Sequence, residues 1–399
     1  MSSVPLSSWE MGTATQALLE LDFSSLSTFS SAPAFHQSAS FSASSIDNVL
    51  GFVRTALQQR NGSTMIIKDG SAGDPTSLGV ACILGNLTGA DTRISNVTFA
   101  SAASDQLNYL LDVAPRSPDG AISHRVSEAS NSPIPNQHII FGFSITVQLW
   151  ADFVYMVPPF LAYYGVVTGN ISLVQESVNQ ISLYRNNLQD SPSGLWKHIA
   201  LGPSIDSSHW STGNAWAAAG MVRVLATIQH SPFAKALQTE QAELGSWVQE
   251  IHNGFYSYMD NSTFLNYNTV DNTTTFQEAS GSTLMASTVY RLAVLQKKYQ
   301  HIRQAENVRK AIFAANGSHI DSDGWLTPVV DPTSFSVLGS HSPESEAFIL
   351  LLQSAYIDWS NAGRNGESAG ARSLAASTIL ASLVAFGGLL WLLMDGFAA

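Results

Sequence analysis

Asp152 lies in QLWADFVYMVPPFLAYYG, residues 148–165, among aromatic and aliphatic neighbours. An unpaired ionised carboxylate costs several kcal/mol in such surroundings, so this group is either hydrogen-bonded for structure or kept partly protonated as an acid. The second state suits proton delivery, because desolvation lifts an Asp or Glu from about 4 to roughly 6, near a working pH. Other chemistry-bearing residues gather in MIIKDGSAGDP, PRSPDGAISHR, GLWKHIALGPSIDSSHWSTGNAW and DSDGWLTPVV. Plain scaffold turns favour Gly, Asn and Ser without aromatics, so loops of this composition are where a site is expected. The chain has no HExxH, no cysteine pair, no phosphate-binding glycine loop and no Gly-x-Ser-x-Gly elbow, so no metal or cofactor is expected. Carboxylates, histidines and tryptophans remain. Flat aromatic faces cover the apolar faces of pyranose rings, while Asp, His and Asn bond hydroxyl groups, which points to sugar chemistry.

The elements that must position these residues read as helices. Apolar residues recur at spacings of three and four over 45–59, 75–84, 102–111, 148–164, 172–188, 214–229, 233–251, 279–298, 302–315 and 343–359. Val289, Leu292, Ala293 and Leu295 show the pattern. Few segments alternate as strands do. Ten or more helices with moderate loops fit a closed ring of helical hairpins or an irregular bundle, and periodicity does not choose between them.

The order DGAISHR, QLWADFVYMVPPFLAYYG, TGN, GLWKH and HWSTGNAW resembles the unsaturated uronyl and rhamnogalacturonyl hydrolases, glycoside hydrolase families 88 and 105, and most of all their fungal cell-wall members. The resemblance runs from about Trp9 to Trp359. It implies an all-α (α/α)6 toroid of six helical hairpins with a pocket at one end. It also implies an enzyme that protonates the enol ether of a 4,5-unsaturated uronic acid, adds water to the ring, and releases the sugar as the hemiketal collapses. Asp152 matches the acid/base position, and His198 matches a pocket histidine. Asp74 is the candidate second carboxylate and Asp69 its rival, although Asp74 before Pro75 also suits a helix cap. His124 and Arg125 match a pocket segment. Trp150, Trp196, Lys197, His209, Trp210, Asn214 and Trp216 complete the expected substrate contacts, the tryptophans by stacking unless they are core.

Two features depart from the family pattern. Thr212 stands where the family usually has an Arg suited to gripping a carboxylate, so either Lys197 or Arg125 substitutes or the substrate is neutral or differently placed. The tract 129–146 separates segments that the family joins closely, and is expected either to displace Asp152 or to form a surface loop. Two other readings compete with the unsaturated uronyl hydrolase. One is a cell-wall mannanase-like glycosidase on the same toroid, disfavoured because Asp152 is followed by Phe153 rather than a second Asp. The other is a non-catalytic surface protein that binds wall glycans.

At 399 residues with 45% hydrophobic content the chain can bury a large core, and 1–360 reads as one catalytic domain. Lys and Arg total 18 against 30 Asp and Glu, a net charge of -12 without a basic run, so nucleic acid is an unexpected partner and an oligosaccharide an expected one. Charged residues make up 12%, about half the roughly 25% usual for globular domains. Such a neutral polar surface suits a glycosylated extracellular protein, and N-x-Ser/Thr sites at Asn61, Asn86, Asn96, Asn170, Asn261, Asn272 and Asn316 agree. Cys82 reads as a small core residue. The first 22 residues show no signal-peptide pattern. After a polar linker, 361–373, residues 374–394 are apolar for long enough to span a bilayer or to serve as a GPI-anchor signal. A membrane-associated, cell-surface monomer is expected.

Overall fold

The computed structural model describes residues 6–31, 33, 43–60, 62–126, 137–140, 143–314 and 319–367. Its α-helices are α1 (Ser8–Leu21), α2 (Asp47–Gln58), α3 (Gly79–Leu87), α4 (Phe99–Asn108), α5 (Phe153–Met156), α6 (Pro158–Thr168), α7 (Ile171–Leu188), α8 (Ser211–Gln229), α9 (Gln238–Ser257), α10 (Ala279–Gln296), α11 (Ile302–Ile312) and α12 (Pro343–Asn361). Local chemistry sets many of their starts. The Ser7 amide donates to Glu10 Oε2 at 2.7 Å before α1, and Asn170 Oδ1 takes the Leu173 amide at 3.2 Å before α7. Glu278 accepts the Ser280 and Gly281 amides at 2.9 and 2.7 Å to open α10.

Packing closes these helices into a ring. Helix α1 lies against α12, α12 against α10, α10 against α8, α8 against α5 and α6, and α6 against α3; the 3₁₀ turn Asp74–Leu78 that leads into α3 then returns to α1. Helices α2, α4, α7, α9 and α11 each pack on the inner helix that precedes them. This order is consistent with the expected helical toroid, with five full hairpins and a sixth inner helix among the described residues. Buried arginines tie the inner ring together. Arg223 on α8 donates to Tyr155 O at 3.0 Å and to Gln16 Oε1 at 2.8 Å, while Arg291 on α10 pairs with Glu20 of α1 at 2.8 Å and with Asp358 of α12. Trp216 sits between Tyr155 and Phe348 at ring separations of 4.3 and 4.8 Å.

The approach of α8 to α5 is so close that a Cβ on Gly220 would lie 1.9 Å from Val154 O, a backbone atom that no rotamer change can move aside. Gly220→Ala is therefore expected to destabilise the fold by about 3 kcal/mol through overpacking, read as a lower denaturation midpoint at unchanged slope. A variant unfolding with the parent would show that the two helices separate freely.

Short antiparallel ribbons decorate the helices: β1 (Gln137–Ile140) with β2 (Phe143–Thr146), β3 (Leu149–Trp150) with β4 (Ile199–Ala200), β5 (Asn266–Tyr267) with β6 (Gln277–Glu278), and β7 (Val329–Asp331) with β8 (Ser334–Gly339). They correct the continuous helix expected over 148–164. Leu149 and Trp150 pair with Ala200 and Ile199 as strand, and Pro158 and Pro159, lacking amide donors, split the remainder into α5 and α6. The described part of the 129–146 tract is the β1–β2 hairpin.

The folded chain also runs into the expected linker, because Asn365 O accepts the Trp359 indole at 3.0 Å. Among the described residues no helix is long and apolar enough to cross a membrane, and the apolar tail 374–394 lies outside the described residues. Asn86, Asn96, Asn170, Asn261 and Asn272 are exposed; Asn61 and Asn316 lie outside the described residues.

Candidate active site

The inner helices present their N-termini at one end of the ring, where their partial positive charge favours carboxylates. Asp74 opens the 3₁₀ turn before α3, Asp152 precedes α5, Glu278 caps α10 and Glu344 lies in the first turn of α12. Contacts across the ring confirm the convergence. The Ser8 hydroxyl donates to Asp69, the Ser280 and Ser345 hydroxyls meet at 2.6 Å, and the charges of Glu10, Asp152 and Glu278 all act on Glu344.

Asp74 is buried and held by an imidazole and a guanidinium. His124 Nε2 lies 3.2 Å from its Oδ1 and Arg125 Nη1 3.1 Å from its Oδ2. Burial alone would raise this carboxyl, but His124 and Arg125 outweigh it and hold Asp74 below the usual carboxylate range. Gly73 makes room for the imidazole, since a Cβ there would stand 2.4 Å from His124 Nδ1. Asp69 takes the Ser8 hydroxyl and the Ser71 amide instead. Open to solvent at its edge but crowded by protein and by Asp74, its carboxyl is pushed up to about 6.

Trp150 joins this group to the second one. The His124 ring stacks on it at 5.4 Å, the Arg125 guanidinium lies over it at 5.1 Å, and the His198 ring meets it edge-on at 5.3 Å. Ala151 N bonds to His198 O at 2.9 Å, which fixes the Asp152 turn against the β3–β4 ribbon. His198 Nε2 then lies 3.6 Å from Asp152 Oδ2, and both atoms are buried without a hydrogen-bond partner. The other ring nitrogen, Nδ1, is 3.1 Å from Asp206 Oδ2. Trp210 and Phe335 close over the imidazole at 4.5 and 4.4 Å. The inserted tract therefore leaves Asp152 beside His198.

Asp152, Asp74, His198, His124, Arg125, Trp150 and Trp210 are thus one connected group. Others of the expected contacts lie elsewhere. Trp196 and Trp216 are fully buried in the core and present no face to a sugar. Asn214 spends its amide on backbone, accepting from Trp196 N at 2.8 Å and donating to Trp196 O and Trp210 O at 2.9 Å each, so it latches the GLWKH loop to α8. Lys197 is partly buried and its charge acts on Asp190. His209 is bound to Asp271 at 2.8 Å. Thr212 donates to Glu278 Oε2 at 3.2 Å inside the core and grips nothing in the site.

Asp206, Phe335 and Glu344 are site residues that sequence reasoning missed. Asp206 falls within a loop already marked by its Trp and His content, whereas DPTSFSV carries no such mark. Glu344 is buried, and burial followed by the charges of Glu10 and Asp152 pushes its carboxyl well above the usual range. Among the described residues no group of three His, Cys, Asp or Glu side chains could hold a metal ion. A cavity of about 320 Å³ between Glu20, Ser24, Phe29 and Asp358 lies at the other end of the ring, at the C-termini of α1 and α12.

The helical ring gathers carboxylates, imidazoles and indoles at one mouth, and comparison with known proteins gives its family. The sequence pattern of Glycosyl Hydrolase Family 88 matches residues 88–341. The chain belongs to that family. It is 23% identical over 236 residues to the unsaturated rhamnogalacturonyl hydrolase YesR of Bacillus subtilis, a match that covers 58% of this chain and spans only 60% of that relative's length. Among solved structures, a possible GH105 member from Salmonella enterica superposes with a TM-score of 0.66 at 16% identity, covering 89% of this chain and 83% of that one. A family 105 glycoside hydrolase from C. acetobutylicum gives 0.62 at 16%, covering 88% and 93%. The unsaturated glucuronyl hydrolase of Bacillus sp. GL1 gives 0.55 at 12%, covering 86% and 94%. At these identities the structural likeness speaks for the fold.

Proposed function

We propose that this protein is a glycosidase that removes a 4,5-unsaturated uronic acid from pectin- or rhamnogalacturonan-derived oligosaccharides by hydrating its enol ether. Asp152 is the acid and base. As a carboxylic acid it gives its proton to C4 of the sugar, and the positive charge that develops at C5 is shared with the ring oxygen. As a carboxylate it then takes a proton from the water that adds to C5. The hemiketal opens, and collapse at C1 releases the rest of the oligosaccharide.

The observation that carries this reading is the pair of unpartnered buried atoms, Asp152 Oδ2 and His198 Nε2, facing each other beside the partly exposed indole of Trp150. A purely structural carboxylate at this depth would have both oxygens bonded. Arg125, with 32% of its side chain open and only one nitrogen on Asp74, is the guanidinium available to the sugar carboxylate, the role that Thr212 does not fill. We further assign residues 1–360 to the catalytic unit, 361–373 to a linker and 374–394 to a membrane segment or GPI-anchor signal, which together would make the protein a cell-surface monomer.

Incubating the protein with lyase-generated pectic oligosaccharides and following the ultraviolet absorbance of the C4–C5 double bond tests the activity. Loss of absorbance with release of the shortened oligosaccharide is expected. Binding with unchanged absorbance would replace the hydrolase by a glycan-binding protein.

A further inference from the structure

Asp206 is built into the site as firmly as the residues it touches. The loop after β4 reverses through Leu201 and Gly202, at φ 64° and 71°, and returns so that Ile199 and Asp206 exchange backbone hydrogen bonds at 2.9 and 3.1 Å. The His198 amide donates to Ser208 O at 2.9 Å in the same turn. Asp206 Oδ1 accepts the Ser208 amide at 3.0 Å, and Oδ2 accepts the Ser208 hydroxyl at 2.9 Å. Burial works against its charge, but the bonds from His198 and Ser208 outweigh burial and hold Asp206 below the usual carboxylate range. An ionised carboxylate only accepts, so the hydrogen in the His198–Asp206 contact sits on Nδ1.

The other ring nitrogen follows from this. In the neutral ring Nε2 carries a lone pair aimed at Asp152 Oδ2, 3.6 Å away. Two buried acceptors that face each other with no other partner are satisfied only by a hydrogen between them. The charged and titratable groups around the pair are Asp206 behind the imidazole, Tyr184 and Glu344 beside Asp152, and Asp74, His124 and Arg125 across Trp150. Among these, only Asp206 holds the imidazole by a direct side-chain bond.

We propose that Asp206 is a positioning residue that locks His198 in the Nδ1–H tautomer, so that His198 Nε2 and Asp152 Oδ2 share one proton and the pair, rather than the carboxyl alone, supplies the acid. This rests on the proposed hydration reaction for its kinetic consequence but not for its structural one. No proton is gained or lost in the arrangement: the one that Asp152 delivers to carbon is the one the pair holds, and the water returns it.

Two variants test it. Asp206→Asn keeps an oxygen for Nδ1–H but removes the charge that stabilises the protonated pair, so the basic limb of the kcat/KM profile should move down by about one pH unit, the size of effect an adjacent charge exerts. Asp206→Ala frees the ring and should lower kcat roughly tenfold at unchanged KM. Nitrogen-15 shifts of the His198 ring, recorded without substrate, should show Nδ1–H in the parent and the Asn variant and a mixture of tautomers in the Ala variant. Unchanged ring shifts and an unchanged pH profile in Asp206→Ala would overturn the proposal. If no unsaturated oligosaccharide is turned over by the parent, the reaction assignment fails while the ring shifts still decide the role of Asp206.

Discussion

Asp152→Asn should abolish loss of the unsaturated chromophore, slowing turnover by roughly 10³- to 10⁴-fold, while the protein unfolds at the same temperature as its parent. The rate effect follows from the chemistry. An amide of the same shape cannot hand a proton to carbon or take one from water, and a positioned acid/base group contributes about 10²- to 10⁴-fold in a single role. Asp152 fills both roles in the proposed reaction, which places the expected loss at the upper end. The absence of a stability effect follows from the geometry. Asp152 Oδ2 faces no polar side chain but His198 Nε2 at 3.6 Å, its side chain is 15% exposed, and the turn that carries it is held by backbone bonds from Tyr155 N and Met156 N to Asp152 O. Asn at this position leaves all of those bonds in place and adds an amide donor that can face His198 Nε2. Retained turnover in this variant would remove Asp152 from the reaction, and a fall in melting temperature of many degrees would recast it as a structural carboxylate.

Helices that lie between core and solvent were legible from periodicity, because one face must be apolar and the other polar. Helix α11 is such a case, expected over 302–315 and found at Ile302–Ile312. Helix α1 was not expected at all. It is an inner helix with Ser8, Thr13, Thr15, Gln16 and Glu20 buried beside Met11, Leu18 and Leu19, so it has no solvent face to impose a stripe. Its polar groups are satisfied by contacts distant in sequence, such as Arg223 on Gln16 and Arg291 on Glu20, which local pattern cannot show.

The site divides in the same way. Residues carried by motifs, from His124 and Arg125 to Trp150, Asp152 and His198, are found together. For Trp196 and Trp216 residue type alone left core and pocket open, and the fold places both in the core. Asp206 and Phe335 reach His198 only because one loop reverses at Leu201 and Gly202 and a hairpin folds over the mouth, and neither event is written in a neighbouring residue.

Asp74 provides the contrasting case, a carboxylate whose loss should damage the fold before the chemistry. Asp74→Ala leaves His124 Nε2 and the Arg125 guanidinium facing a cavity where both had an anionic acceptor, at 3.2 and 3.1 Å. Removing one partner of a buried ion pair typically costs about 3 to 5 kcal/mol, and that range is expected at pH 7. The pH dependence gives the effect a signature. Because the folded-state pKa of Asp74 is depressed below its unfolded value of about 3.9, the stability it supplies is fully present above that value and disappears as pH falls through the folded pKa. The difference in unfolding free energy between parent and Asp74→Ala should therefore be larger at pH 5 than at pH 3, shrinking on acidification below pH 4. Denaturant unfolding of both proteins at pH 7, 5 and 3 measures it, and comparing the two cancels the carboxylates that do not feel Asp74; Asp69, whose carboxyl Asp74 helps to push up to about 6, titrates lower in the variant and does not cancel. A gap that stays the same at pH 3 would mean that packing, not charge, holds Asp74 in place. A gap near zero at pH 7 would mean that His124 and Arg125 find other partners, and Asp74 would then be free to serve as a second carboxylate in the reaction instead of an anchor for the pocket wall.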